Sequence, residues 1–95
     1  MYRIFPSKDY IKSYRKLERS GHFSPKVKND LEFAIDTLAA GEKLPPEYKD
    51  HQLSGELKEY RDCHIKGDLL LIYQIRNKEL ILALADLGSH SELFG

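Results

Sequence analysis

Through the first forty residues apolar side chains recur three and four positions apart, and beyond residue 56 they recur every second position. The first spacing is that of an amphipathic helix and the second that of a strand. Tyr2 to Phe5, stopped by Pro6 with its missing amide donor, predicts a short first strand. Ser7 is placed to cap a helix whose apolar side is Tyr10, Ile11, Tyr14 and Leu17, and Gly21 ends it. A second helix starts at Ser24 and Pro25, a capping hydroxyl followed by a ring that presets the first helical angle. Its stripe is Val27, Leu31, Ala34, Ile35 and Leu38, and Gly41 is its stop. The two make a helical hairpin, and each stripe needs a surface to cover it.

Pro45 and Pro46 exclude a continuing helix, so Leu44 to Asp50 predicts a loop leading to His51. From Glu56 a strand is expected, with Leu57, Glu59, Arg61, Cys63 and Ile65 on one face and Lys58, Tyr60, Asp62 and His64 on the other. Lys66 and Gly67 suit a tight turn into a central strand, Asp68 to Arg76, and Asn77 with Lys78 turns into a last strand, Glu79 to Leu87. The expected fold is α+β: an N-terminal strand, a helical hairpin, then an antiparallel three-strand meander with the helices on one sheet face. Ninety-five residues suit one domain, residues 1–95.

Composition narrows the class. The 41% hydrophobic content is enough for a core, which excludes a disordered tail. The longest apolar run, Leu69 to Tyr73, is far too short to span a bilayer, and the N-terminus lacks a signal-peptide pattern, so no membrane association and a cytoplasmic location are expected. A lone Cys63 forms no internal disulfide and reads as a small buried hydrophobe. Fifteen basic and fifteen acidic side chains cancel. Residues 1–50 nevertheless carry ten basic and eight acidic groups and residues 51–95 five and seven, +2 against −2, and the first helix concentrates Lys12, Arg15, Lys16 and Arg19 on its polar side.

Three of four histidines, His51, His64 and His90, fall in the second half, and Asp68 lies across the tight turn from His64. Histidine gives and takes protons near neutral pH, so several in one cleft supply a general acid, a general base and a charge stabiliser. That set suits phosphodiester cleavage by an adjacent 2′-hydroxyl, which needs no metal or cofactor. His22, beside the hairpin link, reads as structural. A zinc site from His51, Cys63, His64 and His90 is disfavoured, because Cys63 and His64 point to opposite strand faces and no paired ligand spacing occurs. Arg61 shares a face with Leu57, Cys63 and Ile65, which leaves a structural role and contact with a substrate phosphate both open. Phe94 has two readings as well: stacking on a base at the site, or plugging the core.

The segment YKDHQLSGELKEYRDCHIKGDLLLIY, Tyr48 to Tyr73, and LGSHSELFG, Leu87 to Gly95, resemble the YafQ branch of the RelE family of bacterial toxins. DH before LxG, YRDxH, GDxxLIY and GxHxxLF carry the likeness. The resemblance implies a type II toxin: a ribosome-dependent mRNA endonuclease cutting in the ribosomal A site. Its partners would be mRNA on the ribosome and a cognate acidic antitoxin of the DinJ or RelB kind, with operator DNA met only through the antitoxin. It implies catalytic roles for His51, His64, Asp68 and His90, with Asp68 and His90 as the acid and base pair and His51 and His64 stabilising phosphoryl charge; Phe94 matches too. Two positions depart from the pattern: Asp86 stands where relatives often carry a basic residue, and Leu69 where a close relative has tryptophan. The alternative reading is a catalytically weakened module that binds its antitoxin and co-represses its operon.

Overall fold

The computed structural model describes all 95 residues. In chain order they form β1 (Arg3–Pro6), α1 (Lys8–Arg19), α2 (Pro25–Ala39), β2 (His51–Gln52), β3 (Arg61–Lys66), β4 (Leu69–Arg76), β5 (Ile81–Ser89) and α3 (His90–Phe94). The five strands make one sheet in the order β1-β5-β4-β3-β2, in which β1 runs parallel to β5 and every other pairing is antiparallel. The fold class and the meander agree with the pattern of apolar positions. The sheet has one strand more than expected, because His51 and Gln52 pair with Asp62 and Arg61.

Both helix starts are where the capping hydroxyls put them. Ser7 Oγ accepts from the Tyr10 amide at 3.0 Å and donates to the Ala85 carbonyl at 2.7 Å, so one side chain caps α1 and ties it to β5. Ser24 Oγ accepts from the Val27 amide at 3.2 Å, with Pro25 opening α2. Gly21 and Gly41 leave the two helices in the left-handed region, φ +80° in each, where a side-chain-bearing residue is disfavoured.

One core holds the layers together. Tyr10 from α1 and Leu31, Ala34 and Leu38 from α2 meet Cys63, Ile65, Leu71, Tyr73, Leu82, Leu84 and Leu87 from the sheet. Each buried leucine contributes about 1.5–3 kcal/mol by leaving water. Along β3 and β4 the core takes alternate residues, which turns Asp62, His64 and Leu70 to the opposite face. No helix is long and apolar enough to cross a membrane.

Expected strand ends shift: β1 is Arg3–Pro6 and so includes the proline, β4 starts at Leu69, β5 runs on to Ser89, and two strand starts move for a local reason. The strand expected from Glu56 begins at Arg61, because Gly55–Leu57 closes a 3₁₀ turn and the Leu57 carbonyl accepts from the Tyr60 amide at 2.9 Å. The last strand begins at Ile81 and not at Glu79: the turn takes four residues and leaves Leu80 at φ +55°.

Candidate active site

On the sheet face away from the helices, β2, β3, β4 and α3 enclose a cleft of about 380 Å³ lined by His51, Leu53, Ser54, Leu57, Asp62, His64, Leu70, His90 and Phe94. The three histidines arrive from three elements. His51 stands on the two-residue β2, which its pairing with Asp62 attaches to the sheet edge. His64 points from β3 opposite Leu70. His90 is the first residue of α3, whose start is fixed by a capping box: Ser89 Oγ accepts from the Glu92 amide at 3.2 Å, and Glu92 Oε1 accepts from the Ser89 amide at 2.9 Å. One turn on, the Phe94 ring lies 5.1 Å from the His90 ring and half-buried in the cleft wall. Phe94 is not part of the core cluster.

Asp62 lies beneath the histidines and is only 3% exposed. Its Oδ1 is sealed from solvent and makes no regular hydrogen bond, with His51 Nδ1 3.2 Å away. His51 Nδ1 also lies 2.8 Å from the Lys49 carbonyl. Both neighbours are oxygens that only accept, so Nδ1 carries the proton, and Nε2 holds the lone pair when the ring is neutral. Asp62 was not among the expected site residues. The signal was present in YRDCH, where alternation puts Asp62 and His64 on one face, but burial under a two-residue strand has no periodicity to reveal it.

Asp68 and Arg61 stand apart from this lining. Asp68 is exposed on the turn between β3 and β4, one step beyond the Leu69 to Ser89 pair, and His90 leaves β5 at the same end. It is not part of the lining, and the carboxylate inside the cleft is that of Asp62. Arg61 turns to the helix side of β3, where its Nε lies 3.3 Å from both Asp50 Oδ1 and the Tyr73 hydroxyl. Partial burial alone would lower the Arg61 guanidinium; the hydrogen bonds it donates to Tyr73 and Asp50, with the Asp50 charge, outweigh it and hold the group above its ordinary value.

Asp86 and Leu69, the two departures from the family pattern, line a different cavity of about 390 Å³ between α1 and α3. An extra residue in β5, Ala85, shifts the register there, and Asp86 Oδ1 accepts from Ser13 Oγ at 2.7 Å and from the Leu87 amide at 2.8 Å. No three His, Cys, Asp or Glu side chains are grouped so as to hold a metal ion.

The family model described as a bacterial toxin of type II toxin-antitoxin systems, YafQ, matches residues 2–95. The mRNA interferase toxin YafQ of Escherichia coli is 37% identical over 91 residues, which cover 85% of this chain and 97% of that protein. A metal-bound toxin from Helicobacter pylori superposes with a TM-score of 0.87 at 47% identity, over 99% of this chain and 100% of the other. The toxin of an E. coli DinJ-YafQ complex superposes with a TM-score of 0.84 at 30% identity, with both chains covered completely.

Proposed function

The chain belongs to the YafQ family of toxins of bacterial type II toxin-antitoxin systems, and from that premise we propose that it is an endoribonuclease that cuts mRNA in the ribosomal A site. The observation that carries this reading is the convergence of His51, His64 and His90 with the Phe94 ring on one cleft above a buried carboxylate. In the proposed reaction a ribose 2′-hydroxyl loses its proton and attacks its own 3′-phosphorus, and the 5′-oxygen leaves with a proton. His90 and the turn carboxylate Asp68 carry the two proton transfers. His51, oriented through its Nδ1–H by Lys49 O and Asp62, faces the phosphoryl oxygens together with His64. The face of Phe94 turned from His90 receives a base by stacking. Metal is bound by the H. pylori relative, but the side chains of this chain do not form a ligand set, and no step here runs through a metal.

An acidic antitoxin of the DinJ type is the proposed restraint, a reading the DinJ-YafQ complex supports. The weakened-module alternative draws on Asp86, but the Asp86 carboxylate is occupied by Ser13 outside the histidine cleft. Toeprinting of translating ribosomes with the purified chain tests the proposal. Cuts at A-site codons leaving a 2′,3′-cyclic phosphate and a 5′-hydroxyl are expected, together with growth arrest on expression without the antitoxin. Intact mRNA, or ends bearing a 5′-phosphate, would overturn it.

A further inference from the structure

We propose that Asp50, whose carboxylate lies on the helix side of β3, is the positioning residue for His51 in the cleft. A strand of two residues cannot by itself hold a ring that is half-exposed, with 54% of its side chain in solvent. The backbone just before it is also unfavourable, since Lys49 sits at φ +48° without being glycine. Something must hold that conformation. Asp50 Oδ1 accepts from the Tyr73 hydroxyl in a short hydrogen bond and from Arg61 Nε at 3.3 Å. Tyr73 is fully enclosed in the core and so is a rigid anchor, while Arg61 compensates the charge of a carboxylate whose side chain is only 22% exposed. Asp50 thereby clamps the peptide units on either side of it. One carries the Lys49 carbonyl that accepts His51 Nδ1–H at 2.8 Å, and the other carries His51 itself. The run from core to cleft is Tyr73, Asp50, the Lys49 carbonyl, His51. It explains the use of two core-face side chains, Arg61 and Tyr73, on a loop that carries a cleft residue.

The inference rests on the proposed role of His51 in stabilising phosphoryl charge, and its test separates the two. The full chain, ¹⁵N-labelled at histidine and free of ribosomes, is examined for the His51 Nδ1–H signal, and the same preparations are assayed for ribosomal mRNA cleavage. Asp50→Ala removes the acceptor, Tyr73→Phe removes the donor and keeps the ring in the core, and Asp50→Asn keeps an acceptor oxygen. The Nδ1–H signal is expected in the parent and Asp50→Asn and lost to exchange in Asp50→Ala and Tyr73→Phe. The parent kcat falls by about 10- to 100-fold in Asp50→Ala with KM little changed, as expected for misplacement of a group by about 1 Å, and Asp50→Asn restores most of it. If Asp50→Ala fails to fold, Tyr73→Phe decides. Retention of the signal and of kcat in Tyr73→Phe, or failure of Asp50→Asn to restore them, overturns the proposal. A parent chain that shows the expected signals but cuts no RNA would overturn the functional reading and leave the positioning intact.

Discussion

Cys63 is sealed in the core, and burial first, then the Asp50 and Asp62 carboxylates, pushes its thiol up to about 12. Burial, with Tyr14 nearby, likewise raises Tyr10 to about 12, and burial with the hydrogen bond to Asp50 raises Tyr73. Each group keeps its proton in the fold over a range where the unfolded chain has lost it. Their contribution to stability is therefore complete below the thiol's ordinary value of 9.0 and is lost as pH rises toward 12. Urea midpoints should be lower at about pH 10.5 than at about pH 8, and Cys63 should react with a thiol reagent only after unfolding. Leu80, at φ +55° and half-exposed, is strained without a packing return. Leu80→Gly should raise stability by about 0.5–1 kcal/mol, measured by denaturant titration. His90→Ala should reduce cleavage by about 10²- to 10⁴-fold while circular dichroism stays unchanged, because the ring is exposed and takes no part in the core. At this scale chemistry was legible and burial was not. Three histidines announce themselves by residue type, whereas Asp62 differs from any surface aspartate only in what covers it, and Arg61 could be given its tether only once Asp50 and Tyr73 were seen beside it.

Elements carried by long periodic stretches were readable: α1 and α2 by their stripes and caps, β4 by its apolar run. Those that complete the cleft were not. β2 has two residues and α3 five, too short to show a period, and each exists because of one local device, pairing with Asp62 in the first and a capping box in the second. The α3 device has a pH signature. Hydrogen bonds from the Ser89 backbone and then its side chain hold Glu92 below its ordinary value, with Lys16 Nζ 3.6 Å away adding to them. A lowered carboxylate stabilises the cap above its unfolded value and ceases to as pH falls through its folded one, so α3 should fray first in acid. Ser89→Ala removes the cap at a cost of about 1 kcal/mol, enough to lower the ratio of ordered to frayed α3 roughly fivefold. Cleavage should fall by up to that factor with the main unfolding transition almost unmoved; loss of that transition would mean that α3 supports the whole fold.

Across the whole molecule charge is balanced but unevenly engaged. Lys16 faces Glu92, whereas Lys8, Lys12, Arg15 and Arg19 run along one exposed stripe of α1 and form no ion pair within the chain. The basic face expected from α1 is thus refined: Lys16 belongs to the cavity wall and Lys8 joins the stripe. Replacing Arg15 and Arg19 together by glutamate should weaken association with the proposed acidic antitoxin by about tenfold at low salt, and the difference should shrink near physiological ionic strength, where screening acts over about 8 Å. Strand order was the part of the architecture least available from the chain, since β1 carries nothing in its four residues that names β5 as its neighbour. That pairing has a temporal consequence. The strand synthesised first waits for the strand synthesised last, because β1 has no other partner in the sheet. His90 and Phe94 follow β5, so a chain emerging from a ribosome holds two helices with no finished sheet to cover them and no assembled cleft. The sheet and the cleft are therefore completed by the same strand, and a nascent chain stalled before β5 emerges should be protease-sensitive and harmless to the message that encodes it.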